Sequence, residues 1–345
     1  MNKVTVNDVA LMAGVSKSSV SNFFNSPGRL SEPTRDRIRE TVERLQFVPN
    51  DAARQLRSGT NPVIGYIAFE LSSAFTPEIA RSIEQKVSAR GMHVLMANDD
   101  GSSERERSYI ELFEMQRVSG LIVAPIGDIE EQLLRLKRRG TPSVLSARKA
   151  KSPHLAWAAA DGVAGGYIAA KHLLSLGRRR LGFVTSSLEL QQLTDRMQGA
   201  LKAIQEVPGA LFEVINVTER SVAAGAYAAG NIAARPQETR PDALFCANDL
   251  LAIGAVQYLT STANVSVPED IAVMGYDDIE FAQSMAVPLS TIRVSGEALG
   301  AAAVELLFEE MDLIANTKRG ELPQTPSRYV LFQPELIIRQ STAIR

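Results

Sequence analysis

Side chains able to do covalent chemistry are few and scattered in this sequence. The three histidines, His93, His154 and His172, show no metal-ligand spacing, and none stands beside a serine or cysteine nucleophile motif. No glycine-rich phosphate cradle occurs. The one cysteine, Cys246, excludes an internal disulfide framework and fits a reducing compartment. NDDGS at 98–102 reads as a turn from which Asp100 reaches toward a cleft. No cofactor, metal or catalytic residue is expected. A dense run of hydrogen-bonding side chains lies elsewhere, in VTVNDVALMAGVSKSSVSNFFN from Val4 to Asn25. Lysine can donate to guanine N7 and O6, and asparagine can pair with adenine N6 and N7. The question is whether this stretch is an ordinary helix pair or a reader of DNA.

The elements that position those residues are legible. Thr5 can cap a helix, with Asp8 in the acidic capping position three residues on. Val6, Val9, Ala10 and Ala13 then form one apolar stripe, and Gly14 stops the helix. Ser16 can cap a second helix, with Val20 and Phe23 or Phe24 facing inward. So short a gap forces a sharp crossing. It needs a small residue where the backbones touch (Ala10), tolerance of positive φ at the turn (Gly14) and an apolar anchor (Val20). This is the helix-turn-helix pattern, which a plain helical hairpin also satisfies. After Pro27-Gly28, Ser31 caps a third helix through Leu45, with Ile38, Val42 and Leu45 on its inner face. Pro49-Asn50 breaks the chain. Asp51 to Arg57 is a short helix, marginal alone in water, ended by Gly59, Asn61 and Pro62.

From Val63 apolar runs alternate with helical stretches. Strands are predicted at 63–69, 92–97, 119–124, 142–146, 156–160, 180–185, 211–216, 242–246 and 270–275. Helices are predicted at 77–90, 104–116, 129–139, 162–176, 194–205, 222–234, 249–260 and 278–285. Such alternation means parallel sheets covered by helices. The strands are too many for one unit, and VIGYIAFELSS and RLGFVTSS look like first strands of two similar units with a cleft between them. Ligands bind at the carboxyl ends of strands in such sheets. The chain has 345 residues, 45% of them hydrophobic, enough for two to three cored domains. Net charge is −2, yet residues 1–60 hold nine Lys and Arg against six acids. A basic small end on an acidic body suggests an anionic partner there. No apolar run suits a membrane span and no signal peptide is evident, so a cytoplasmic protein without membrane partners is expected.

On VNDVALMAGVSKSSVSNFFN, FVPNDAARQLRSG, the VIGYIAF strand, HLLSLGRRRLGFV, FCANDLLAIGAV, VPEDIAVMGYDDIEFA and PLSTIR, in that order, the chain resembles the LacI/GalR family of bacterial transcription regulators. The match covers nearly the whole chain. It implies an α/β fold with an all-α helix-turn-helix headpiece (1–48), a hinge helix and linker (49–61) and a periplasmic-binding-protein-like core (62–345). It places the core's N-subdomain at 62–158 and 292–320 and its C-subdomain at 159–291 and 321–345. It implies a repressor, a homodimer on a pseudo-palindromic double-stranded DNA operator, and a small-molecule effector, a sugar or sugar derivative. By resemblance, Lys17, Ser18, Asn22 and Ser21 reach base edges, while Thr5, Ser16, Ser19, Asn25 and Ser31 serve the DNA-binding face, the serines and Asn25 toward phosphates. Leu56 takes the place of the leucine that enters the minor groove, with Asn50, Ala53 and Arg54 around it. Most relatives have Arg at Asn22, so a half-site differing at that base pair is expected.

The resemblance also implies the effector pocket. Arg196 matches an arginine that forks onto ligands, Asp277 the acidic partner and Asn248 a frequent polar contact. Phe75 matches a lining aromatic, with Tyr276 and Trp157 as further candidates. Arg148 and Asp161 match family positions nearby. The sequence departs from sugar-binding relatives at Ala147 (often Asp), Ser73-Ala74 (often Asn-Pro), Arg220 (near a common aromatic) and Val294 (near a Gln). A lost aspartate and a gained Arg220 predict a more basic pocket and an anionic effector, with a neutral sugar as the alternative. Helices 77–90 and 249–260 and the 278–285 region are the expected dimer surfaces, and LIIRQSTAIR lacks leucine heptads for tetramers. The competing readings are a transport solute-binding protein and a sugar-modifying enzyme, for which no acid–base constellation is present.

Overall fold

The computed structural model describes residues 4–48, 61–318 and 320–343. The chain divides into two compact units, Met1–Asn61 and Pro62–Arg345.

In the first unit α1 (Val6–Ala13) opens with a complete capping box between Thr5 and Asp8. Gly14, at φ 63°, closes α1 in the left-handed region, where a Cβ would be strained. In α2 (Lys17–Asn25) the Ser16 hydroxyl accepts from the Ser19 amide. α3 (Glu32–Leu45) starts after Ser31, whose hydroxyl pairs with Thr34 instead of capping. Val9, Val20 and Ile38 have no exposed surface, and Ala10, Ala13 and Phe47 close the core around them. Each fully buried Val or Ile contributes on the order of 1.5–3 kcal/mol. Val6 is only half-buried.

The second unit holds two parallel sheets and a ribbon. β1 (Val63–Ala68), β2 (His93–Asn98), β3 (Gly120–Val123), β4 (Ser143–Ser146), β5 (Ala156–Ala160) and β11 (Tyr329–Phe332) form one sheet in the order β11-β5-β4-β3-β1-β2. β6 (Arg180–Thr185), β7 (Leu211–Asn216), β8 (Ala243–Cys246) and β9 (Ala272–Met274) form the second, in the order β7-β6-β8-β9. β1, β3, β4 and β8 are almost wholly buried, which is why they read as unbroken apolar runs. β10 (Thr291–Arg293) and β12 (Glu335–Ile337) pair antiparallel as a separate ribbon. α4 (Phe75–Ser88), α5 (Ser103–Met115), α6 (Glu130–Arg138) and α12 (Gly296–Ala315) belong to the first half. α7 (Gly162–Ser175) packs along α8 (Gln191–Gln205), and α9 (Val222–Ala233) along α10 (Asp249–Ser261), in the second.

Three expectations are corrected. Residues 321–345 do not all belong to the second half: β11 pairs in parallel with β5, from Trp157↔Tyr329 to Ala160↔Phe332. The short apolar YVLF run gains a ladder there that the second sheet does not offer. Only from Arg339 does the chain return, where Ser341 accepts from the Val273 amide at 3.0 Å. β5 likewise carries the first half to Ala160 rather than 158. The helix expected over 278–285 shrinks to α11 (Glu280–Gln283), because Asp277 and Asp278 sit at φ 102° and 58°. The chain therefore crosses between halves at Asp161, at β10 and at β12.

Candidate functional site

On the first unit, α2 presents its polar face in two chemically different parts. Ser16 Oγ bonds with Ser18 Oγ (2.7 Å) and Ser19 Oγ (2.9 Å), so these hydroxyls form one cluster at the helix start. Thr5 Oγ1 donates to Asp8 at 2.7 Å, and Asn25 Nδ2 to the Ser21 carbonyl at 2.8 Å. The side chains of Lys17 and Asn22 make no hydrogen bond or ion pair among the described residues. Lys17 is exposed and Asn22 half-buried. Their donors and acceptors are thus uncommitted, as base-edge contacts require. The expected contacts of Asn50, Ala53, Arg54 and Leu56 lie outside the described residues.

On the second unit, a cleft opens at the carboxyl ends of the strands, the place ligands take in such sheets. Phe75, Arg148, Arg196, Arg220, Asn248, Tyr276 and Asp277 all line it. Asp277, held by the turn after β9, accepts from Arg196 Nη2 at 3.3 Å. The Arg196 guanidinium lies 3.5 Å from the centre of the Tyr276 ring and also donates to the Ala247 carbonyl. Burial pushes the Asp277 carboxyl up to about 6 against the pull of Arg196 and Arg220. Arg148 donates to the Gly127 carbonyl at 2.5 Å, and the two amides of that loop, Ile126 and Gly127, donate to buried Glu106 at 2.9 and 3.3 Å. Asn248 spends Oδ1 on the Leu251 amide at 3.1 Å to cap α10, which leaves its Nδ2 for a ligand.

Three residues expected at the cleft stand aside. Asp161 caps α7 by accepting from the Ala164 amide at 3.1 Å and does not line the cleft. Trp157 stacks on Tyr329 at 4.5 Å, because β11 lies beside β5. Asp100 is exposed, 3.6 Å from Arg105, and does not line the cleft either.

Other residues enter unforeseen. Glu70 meets Arg220 at 2.5 Å across the cleft, and Arg220 lies 4.7 Å from the Phe69 ring. Arg148, Lys149, Arg196 and Arg220 therefore face Glu70, Asp195 and Asp277. The basic pocket expected from Arg220 is largely neutralised. Glu70 and Lys149 lie in the loops just past the carboxyl ends of β1 and β4, a position that itself points to the cleft. Four buried polar atoms of lining residues lack partners among the described residues: Tyr66 Oη, Ser146 Oγ, Arg148 Nε and Arg196 Nε. Such atoms call for a ligand or water. Among the described residues no group of three or more His, Cys, Asp or Glu is placed to hold a metal, and no helix is long and apolar enough to cross a membrane.

Comparison with known proteins agrees with this division. Residues 5–50 match the model of bacterial regulatory proteins of the lacI family, and residues 170–342 that of a periplasmic binding protein-like domain. The chain is 31% identical to the HTH-type transcriptional repressor PurR of Aliivibrio salmonicida, over 98% of each chain. A LacI family transcriptional regulator from Silicibacter pomeroyi superposes with a TM-score of 0.83 at 22% identity, over 98% of this chain and 99% of that one. The lac repressor dimer bound to operator and the anti-inducer ONPF superposes with a TM-score of 0.80 at 24% identity, over 99% and 100%.

Proposed function

The chain belongs to the lacI family of bacterial regulatory proteins and is a DNA-binding transcriptional repressor; from that premise we propose that a compact polyhydroxylated effector, a neutral sugar or sugar derivative, sets its operator affinity from the cleft. The observation that carries this is the cleft's polar make-up. An arginine flattened on an aromatic ring beside a carboxylate, in a cleft lined by four unmet polar atoms of which its own Nε is one, suits a ligand whose adjacent hydroxyls both donate and accept. A phosphate or carboxylate on that ligand has to displace Glu70 from Arg220, which removes the ground for expecting an anion. A transport solute-binding protein would share this cleft but has no use for the headpiece.

The same proposal includes a homodimer reading a pseudo-palindromic operator. Lys17 and Asn22 read bases, the serines and Asn25 hold phosphates, and the 49–61 segment with Asn50, Ala53, Arg54 and Leu56 enters the minor groove. Beside the expected surfaces of helix 77–90, helix 249–260 and the 278–285 region, a further apolar surface is open to a second copy. α10 is largely buried against α9, whereas Leu95 and Met96 on edge strand β2 and Leu112 and Met115 on α5 are exposed. An apolar band on a free strand edge suits a second copy.

The test is fluorescence anisotropy of the full chain on duplexes from upstream of its own gene, with neutral sugars, sugar phosphates, sugar acids and nucleobases. One neutral sugar is expected to change affinity by roughly tenfold or more, a coupling typical of allosteric effectors. Absence of sequence-specific binding in every condition sinks the proposed operator control. A response confined to phosphates, acids or nucleobases sinks the choice of effector.

A further inference from the structure

Asp277 and Asp278 are adjacent, both have positive φ, and they serve different parts of the molecule. Asp277 turns into the cleft to Arg196. Its amide donates to the Ile292 carbonyl at 2.8 Å, so its backbone lies against β10. Asp278 turns toward the crossovers. Its Oδ2 accepts from Nε of Arg293, on β10, at 2.7 Å. Its Oδ1 lies 2.7 Å from Nη1 of Arg339, just past β12. Arg339 also donates to the Leu289 carbonyl (Nη1, 2.8 Å) and to Ser290 Oγ (backbone N, 2.8 Å). Below the turn, buried Asp249 accepts from the Ile279 amide at 2.8 Å and from Thr291 Oγ1 at 2.6 Å. Two of the three crossovers form the β10–β12 ribbon, and one carboxylate grips both of its arms.

We propose that Asp278 is a positioning residue: it ties the floor of the cleft to the crossover ribbon and sets the angle at which the two halves meet. The physical logic is that of a hinge. Relative motion of two packed halves is absorbed by a few residues in the connecting strands. Arg293 and Arg339 leave those strands where they cross, so a carboxylate shared between them limits how far the ribbon turns against the second half. A ligand that rearranges Asp277 moves the next residue and with it that grip. Only this last step rests on the reading of the cleft as an effector site.

The experiment needs no ligand. Asn tolerates the left-handed region, so Asp278→Asn removes the charge and keeps the backbone. Spin labels go on Glu104→Cys in the first half and Glu189→Cys in the second, both exposed, while native Cys246 is buried and stays unlabelled. Electron dipolar spectroscopy on the full chain reads the distance between them. Asp278→Asn is expected to widen that distribution about twofold at an unchanged melting temperature, because few residues hold such a hinge. Arg293→Gln is expected to do the same, and Arg293→Lys to stay narrow. Arg293 is half-exposed and tolerates change, so it carries the test if Asp278→Asn fails to fold. Distributions as narrow as the parent's in Asp278→Asn, or in Arg293→Gln should that variant alone fold, overturn the proposal. A widened distribution in a chain that binds no sugar leaves this proposal standing and removes the effector reading alone.

Discussion

At the scale of single residues, buried carboxylates shape how the core responds to pH: burial raises Asp249, Glu106 and Asp195, and two others define a window. Asp99 has no exposed surface, and burial pushes it up to about 7 although the Gly101 amide donates to it at 3.1 Å. Asp277 is pushed up to about 6, again chiefly by burial. In the unfolded chain both titrate near ~3.9. A carboxyl raised on folding stabilises the fold most in its neutral form, so its contribution is complete below ~4 and is lost as pH rises through its folded value. Core stability is therefore expected to fall between about pH 4 and about 7 through these two groups. Asp277→Asn should flatten that slope up to about pH 6, and Asp99→Asn should flatten it over the whole window up to about pH 7. Melting curves across that range check this, and a variant slope equal to the parent's refutes it for that residue.

At the scale of elements, the cleft depends on how closely two helix pairs approach. A Cβ on Gly166 of α7 would lie 1.9 Å from the Arg196 carbonyl, and one on Gly199 of α8 would lie 2.0 Å from the Val163 carbonyl. The backbones of α7 and α8 thus touch at the turn that carries Arg196. Gly225 and Gly254 play the same part between α9 and α10. Gly166→Ala is expected to wedge α8 away from α7, at a cost of about 1–3 kcal/mol as for other overpacked sites. It should also draw Arg196 off Asp277 and Tyr276. Chemical denaturation reads the first effect and effector titration the second. Stability and affinity both unchanged would show that the helices part without consequence.

At the scale of the whole molecule, the proposed homodimer needs a surface for a second copy, and the free edge of the first sheet is the one proposed. Leu95 and Met96 are about half exposed and Met115 is 72% exposed, more than a lone monomer gains from. Met96→Lys places a charge on that edge and is expected to weaken dimerisation at least tenfold, as truncation or charging of an interface centre does. Sedimentation at graded concentrations checks it. A dimer of parent strength would move the interface elsewhere, toward Tyr227 and Phe281 on the second half, which are 70% and 59% exposed.

The headpiece was legible because its determinants are local: the Thr5–Asp8 box, Gly14 at the turn and Val20 as anchor all act within a few residues of chain. The long buried strands were legible because burial on both faces demands unbroken apolar runs. β10, β11 and β12 were not, since three or four residues carry no period, and YVLF reveals its sheet only by the neighbour that completes its ladder. The cleft divides in the same way. Arg196, Asn248, Tyr276 and Asp277 stand in recognisable motifs. The partnership of Glu70 with Arg220, and the grip of Asp278 on Arg293 and Arg339, join residues distant in sequence. Local chemistry chose the side chains. Only the packing of distant segments decided which charge each of them meets.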